Sequence, residues 1–131
     1  MNNFKKKVYV AGKFQNKPEN KKYIEDWCLK LSKWFPDYLF LNGVSTFSHY
    51  YDASDMKTGL KMYIELLKTC DAIVTVTDYT NSIGTWVELM IAEELGLHSF
   101  EHIDAEIENN KYFESQLESF RNTIEYRLFG D

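Results

Sequence analysis

Ala72-Ile73-Val74-Thr75-Val76-Thr77 is followed, four residues later, by Ser82-Ile83-Gly84-Thr85-Trp86-Val87-Glu88. The first stretch is a continuous run of small and β-branched side chains, the composition of a strand buried on both faces. The polar residues up to Gly84 read as a turn. Residues 85–95 read as a helix, stopped at Gly96. A buried strand, a short turn and a helix in that order are part of a βαβ unit, and such units build parallel sheets with right-handed crossovers.

The flanking sequence repeats the alternation. Val8-Tyr9-Val10-Ala11 is a short apolar run ending at Gly12 and reads as a first strand. Pro18 suits the first turn of a helix, and Ile24, Trp27, Cys28, Leu31, Trp34 and Phe35 follow at helical spacing until Pro36. Residues 38–41 read as a second strand, closed by Asn42-Gly43, and 44–53 as an aromatic, polar loop. A helix is expected over 54–69, with Met56, Leu60, Tyr63, Ile64 and Leu67 on one side. A fourth strand is expected over 98–103. From about Ala105, the positions Phe113, Leu117, Phe120, Ile124 and Leu128 mark a long amphipathic C-terminal helix. Without an internal repeat or linker, the chain is expected to form one domain over 1–131. Its class is α/β: a doubly wound parallel sheet of four or five strands, a flavodoxin- or Rossmann-like sandwich with a long C-terminal helix.

Composition narrows the function classes. With 44% hydrophobic residues, 16% of the chain being aromatic, it is too apolar for disorder, and 131 residues are enough for one core. The net charge of −5 speaks against a nucleic-acid polymer as partner, and Lys5-Lys6-Lys7 reads as a solvated end. No apolar run approaches the roughly 18 residues needed to span a bilayer. No signal-peptide core precedes Val8, so a cytoplasmic location away from membranes is expected. Cys28 and Cys70 fit small core residues in a reducing compartment. His49, His98 and His102 lack metal-like spacing, and structural or surface roles are expected for them.

Glu88 carries the chemistry. Ile91, Ala92 and Leu95 share its helix face, whereas Glu93 and Glu94 are turned away by about 140° and 240° at 100° per residue. One carboxylate therefore faces inward at the end of a buried strand, where an unpartnered acid is costly. Two readings stand here. Thr85-x-x-Glu88 fits a capping box, with the glutamate at N3 bonding back to the first amide. Alternatively, the carboxylate serves as a nucleophile at an anomeric carbon, where the transition state resembles an oxocarbenium ion. In open parallel sheets ligands bind at the carboxyl ends of the strands. Two turns are expected there: Gly12-Lys13-Phe14-Gln15, and the segment from Asp78 to Gly84. Amides at a helix start beside Ser82 form an anion site, and Gly12 or Gly84 allows a ligand close to the backbone. Neither turn carries a dinucleotide fingerprint or a P-loop.

Tyr9-Val10-Ala11-Gly12, Cys70-Asp71-Ala72-Ile73-Val74 and Ser82-x-Gly84-Thr85-x-x-Glu88 together resemble the nucleoside 2-deoxyribosyltransferase superfamily. That group includes the 2′-deoxynucleoside 5′-monophosphate N-glycosidases, together with many small phage and bacterial relatives. The resemblance covers roughly residues 7–97, and the Gly-Thr-x-x-Glu turn is its most specific part. It implies that Glu88 is the nucleophile attacking C1′ and that Tyr9 lies near the sugar and the carboxylate. It implies that Ser82 and the Gly12-Lys13-Phe14-Gln15 turn contact a phosphate; Asp78 and Gly84, from the turn after the third strand, are expected to line the same substrate site. No metal or organic cofactor is implied, and a homodimer or larger homo-oligomer is. One position departs. The family's aspartate on the preceding helix, eight residues before the Asp of the third strand, is here Tyr63. Asp52 and Asp78 are the acids that sequence offers in its place.

The first expectation is therefore cleavage or transfer of the N-glycosidic bond of a (deoxy)nucleoside 5′-monophosphate. The Tyr63 departure motivates a second, a non-catalytic nucleotide-binding or sequestering module. A third, an NAD glycohydrolase, breaks the same type of bond.

Overall fold

The structure, a computed structural model, describes residues 6–14, 17–44, 56–76, 82–109, 111–112, 115, 118–119, 122–123 and 126–127, with the backbone only at 56–59. Four strands, β1 (Lys6–Ala11), β2 (Tyr38–Leu41), β3 (Ala72–Thr75) and β4 (His98–Phe100), form one parallel sheet in the order β2-β1-β3-β4. The helices between and after them are α1 (Pro18–Trp34), α2 (Met56–Leu67), α3 (Ile83–Glu94) and α4 (Ile103–Glu108). A C-terminal helix contributes helical positions at 118–119, 122–123 and 126–127. This is the expected α/β doubly wound arrangement, with four strands. No helix among the described residues is long and apolar enough to cross a membrane.

Strand alternation sorts the side chains onto two faces. Val8, Val10, Ala72, Val74 and Phe100 meet Ile24, Trp27 and Leu31 of α1 and Ile103 and Ile107 of α4. Tyr9, Ala11 and Ile73 point the other way, against Leu67 of α2 and Ala92 of α3. The register sets Tyr9 beside Leu41 and Ile73, and Ala11 beside Thr75. Asp71 pins the entry of the β1–β3 pair: its Oδ2 accepts from the Lys7 amide at 2.9 Å, and its own amide donates to the Lys7 carbonyl at 2.8 Å. At the exit, the Val76 amide donates to the Ala11 carbonyl at 3.0 Å. The two central strands are thus joined by hydrogen bonds at both ends.

Several boundaries differ from expectation, each for a physical reason. α3 starts at Ile83 rather than at 85, because Ser82 caps it. Its end at Gly96 is as expected: Leu97 N–H donates to the Ala92 carbonyl at 2.9 Å and Gly96 N–H to the Glu93 carbonyl at 3.0 Å, with Gly96 at φ 74°. That pair of bonds around a left-handed glycine is a Schellman motif. Leu95, placed on the inward face by its spacing, is 48% exposed because the helix closes there. The expected fourth strand stops at Phe100. His102 takes a left-handed conformation (φ 55°), its amide donates to Thr75 Oγ1 at 2.7 Å, and Ile103 then opens α4 in the core. The helix expected from about 105 onward is accordingly divided. α4 is capped at Asn109, and the C-terminal helix comes after it. Phe113, Leu117, Phe120, Ile124 and Leu128, on which the long stripe rested, lie outside the described residues. The C-terminal helix meets the sheet at its β4 edge, with Arg127 over the Phe100 ring at 4.9 Å and its carbonyl 3.2 Å from His98 Nδ1.

Candidate active site

Strand order reverses between β1 and β3, since β1 leads to β2 on one side and β3 to β4 on the other. At such a switch point the connections diverge and leave a crevice beyond the carboxyl ends of the strands. A cavity of about 150 Å³ opens there, lined by Tyr9 and Gly12 of the β1 end, Tyr63 of α2, and Ser82, Gly84 and Glu88 of the α3 start. Phe14, Val44, Leu60 and Ile83 supply apolar wall. Cavities of about this volume admit a benzene-sized ring.

The start of α3 decides between the two readings of Glu88. Ser82, in extended conformation (φ −130°, ψ 100°), is the N-cap; its Oγ accepts from the Thr85 amide at 3.3 Å and lies 2.9 Å from Thr85 Oγ1. Thr85 is thus N3, not the cap, and Glu88 falls three residues deeper. The capping-box reading is overturned: the amide that a box would need at Thr85 is already bound within the helix start. What remains is the inward acid. Glu88 is 4% exposed, and its carboxylate is hydrogen-bonded by the Tyr9 hydroxyl. Its Oε2 has no hydrogen-bond partner among the described residues. Burial raises the acid to about 7, against the pull of the Tyr9 hydrogen bond, which favours the charged form.

Tyr9 is held from the other side. Its hydroxyl accepts from the Gly43 amide and donates to Glu88. Burial, together with the neighbouring Glu88 charge, drives the phenol well above its ordinary range, so it stays a donor at any working pH. Tyr63 lies close to Tyr9 and packs its ring against Gly43. A Cβ at position 43 would stand 2.5 Å from Tyr63 Cδ1 and 2.7 Å from Cγ. Gly43 was read only as the end of the second strand. The signal for a larger role was the Asn-Gly pair at the exit of a strand adjacent to β1.

The two glycines expected to let a ligand approach have different reasons. A Cβ on Gly12 would meet Ile24 Cγ1 at 2.9 Å and Val76 Cγ2 at 3.2 Å, so this glycine lets α1 pack against the turn. A Cβ on Gly84 would meet only Leu60 Cδ1, at 3.9 Å. No packing demands a glycine there, and the space it leaves belongs to the cavity. Lys13 is half-buried between Gly12 and Phe14, which line the cavity, and does not itself line it. Gln15, Asp78, Asp52 and His49 lie outside the described residues.

Among the described residues no group of three or more His, Cys, Asp or Glu side chains is arranged to hold a metal. Both cysteines are free thiols, Cys70 buried and Cys28 half-buried, and burial pushes each upward, Cys28 to about 11. Neither is therefore an activated nucleophile. No protein-family model and no curated protein matches this chain.

Proposed function

We propose that this protein cleaves or transfers the N-glycosidic bond of a (deoxy)nucleoside 5′-monophosphate, with Glu88 as nucleophile, as its resemblance to the deoxyribosyltransferase superfamily implies. The observation that carries the reading is the Glu88 carboxylate: buried in a cavity wall, oriented by a single phenol, with one oxygen left unbonded among the described residues. Such an oxygen is free to bond C1′ as the C1′–N bond breaks and its electron pair leaves with the base, which then takes up a proton. Water, or a second base, attacks C1′ of the glycosyl-enzyme and releases Glu88. The Tyr9 hydroxyl holds the carboxylate before attack and stabilises it again as the leaving group in the second step. The phosphate is assigned to the start of α3, where the first amides lack intrahelical partners and the helix dipole favours an anion, and to the turn carrying Gly12, Lys13 and Gln15. Asp78 and Ser82 complete the substrate site in this reading. No metal or organic cofactor takes part.

The test is incubation with each deoxynucleoside monophosphate, following free base by chromatography, with Glu88→Gln as control. Base release above the mutant supports the proposal, and equal release from both sinks it. Nicotinamide release from NAD in the same assay would redirect the reading to an NAD glycohydrolase. One observation favours a second reading, a non-catalytic nucleotide-binding module: Tyr63, buried in the cavity wall, fills the place where the resemblance leads one to expect an acid. Thermal stabilisation by a nucleotide without turnover would select it. A cytoplasmic homodimer or larger assembly belongs to the same proposal, supported by Ile83, Trp86 and Met90, which expose one apolar stripe along α3 beside the cavity. A sedimenting species of only 15.5 kDa would refute that part.

A further inference from the structure

We infer that Tyr63 is a positioning residue: its ring, packed against the backbone of Gly43, fixes the amide that holds the Tyr9 hydroxyl on Glu88. The inference deepens the glycosidase reading and rests on it for its catalytic meaning, though the geometry stands without it.

The segment after β2 is held from three directions. Asn42 Nδ2 donates to Cys28 Sγ of α1 at 3.2 Å. Tyr63 of α2 presses on Gly43, where its Cδ1, Cγ and Cβ would lie 2.5, 2.7 and 3.0 Å from any added Cβ. The Gly43 amide in turn donates to Tyr9 of β1, whose hydroxyl donates to Glu88 of α3. Gly43 and Val44 are helical directly after β2, and an amide in the first turn of a helix has no intrahelical acceptor to hold it. Contact with a buried aromatic ring, 6% exposed, limits that freedom. Only a residue without Cβ lets the ring come so close, which gives Gly43 a reason independent of its conformation.

Orientation of the phenol matters because it has two bonds to satisfy. With the amide donating to its oxygen, the Tyr9 proton is directed to the carboxylate, and one Glu88 oxygen is occupied while the other is left for chemistry. If the amide drifts, the hydroxyl can rotate, and the carboxylate loses the bond that favours its charged form. An aspartate at position 63 would be too short to fill the same space. Tyr63 fills that space and acts through two other residues, so it supports the cavity wall.

The test uses the full chain without substrate, labelled with 13C-glutamate, and follows the Glu88 carboxyl through a pH titration by NMR, assigned with Glu88→Gln. The titratable groups that share the cavity with it among the described residues are Tyr9 from β1 and Tyr63 from α2, and burial holds the Tyr9 phenol well above its ordinary range, so it stays protonated through the titration. Tyr9→Phe removes the hydrogen bond and is expected to raise the midpoint. Tyr63→Leu is expected to raise it in the same direction, and Tyr63→Phe, which keeps the ring, to leave it at the wild-type value. A wild-type midpoint in Tyr63→Leu alongside a raised one in Tyr9→Phe overturns the inference, as does an unmoved midpoint in Tyr9→Phe. Should Tyr63→Leu fail to fold, hydrogen exchange at the Gly43 amide decides. Faster exchange in Tyr63→Met, which swaps the rigid ring for a flexible chain of similar reach, than in wild type supports the positioning role, and equal exchange refutes it. Because no substrate is present, an intact titration pattern in a chain that releases no base would count against the glycosidase alone.

Discussion

Glu88 has one titration that should be visible in turnover. Its carboxyl is raised to about 7 by burial, and only the ionised form can attack carbon. For a deoxynucleotide that the protein cleaves, kcat/KM is expected to climb about tenfold per pH unit below 7 and to level off above it. A flat profile from pH 5 to 8 would mean that Glu88 is not the nucleophile, or that another step hides it. Glu88→Gln keeps the shape and loses the charge, and is expected to lower base release by several orders of magnitude while leaving nucleotide binding measurable by calorimetry. At this scale the inward acid was readable from spacing, because Ile91 and Ala92 share its face and Glu93 and Glu94 do not. What spacing left open was whether Glu88 was a cap. That depended on which hydroxyl, Ser82 or Thr85, closed the helix, and both residue types cap well.

Two glycines at the ends of α3 should respond oppositely to the same substitution. Gly96 has φ 74° and closes the Schellman turn, so Gly96→Ala must place a Cβ in a left-handed residue. A loss of about 1 kcal/mol is expected in denaturant unfolding. Gly84, in the first turn, has room for a methyl group, with its nearest contact at 3.9 Å. Gly84→Ala is expected to gain up to about 1 kcal/mol from the lower entropy of the unfolded chain, yet to weaken nucleotide binding because the methyl enters the cavity. Loss of both stability and binding would show instead that Gly84 is needed by the fold. The element pattern itself was largely legible. Pro18 and Pro36 bracket α1, and β2 has the bounds its apolar run suggested, because side-chain period and backbone breakers are local properties. β4 and α4 were misjoined because their border is a non-glycine left-handed residue, His102, held by the Thr75 hydroxyl from a strand 27 positions away. A contact across that separation has no signature in the neighbouring residues. Gly43 escaped for the same reason: its requirement is set by Tyr63, on a different helix.

Across the whole molecule, burying the Glu88 carboxyl costs stability, and the cost has a definite sign. Its folded value of about 7 lies above the ordinary 4.5, so between these two values the native chain binds more protons than the unfolded one. Stability therefore falls as pH rises through that window and is constant beyond it. At 4% exposure the carboxyl feels little solvent screening. A shift from 4.5 to about 7 corresponds to about 3 kcal/mol of lost stability at neutral pH. Tyr9 and Cys28 are raised as well, but both titrate above pH 8 and leave this window to Glu88. The expected result is a Glu88→Gln chain that is more stable than wild type at pH 8, by an amount approaching that figure, and nearly equal to it at pH 4. Urea unfolding of both proteins at the two pH values measures the difference directly. Should the mutant gain nothing at pH 8, the carboxylate is already compensated by its surroundings, and an acid poised near neutrality could not supply the nucleophile's titration. A gain that persists undiminished at pH 4 would point to packing rather than charge, since a protonated glutamic acid and a glutamine then differ little electrostatically.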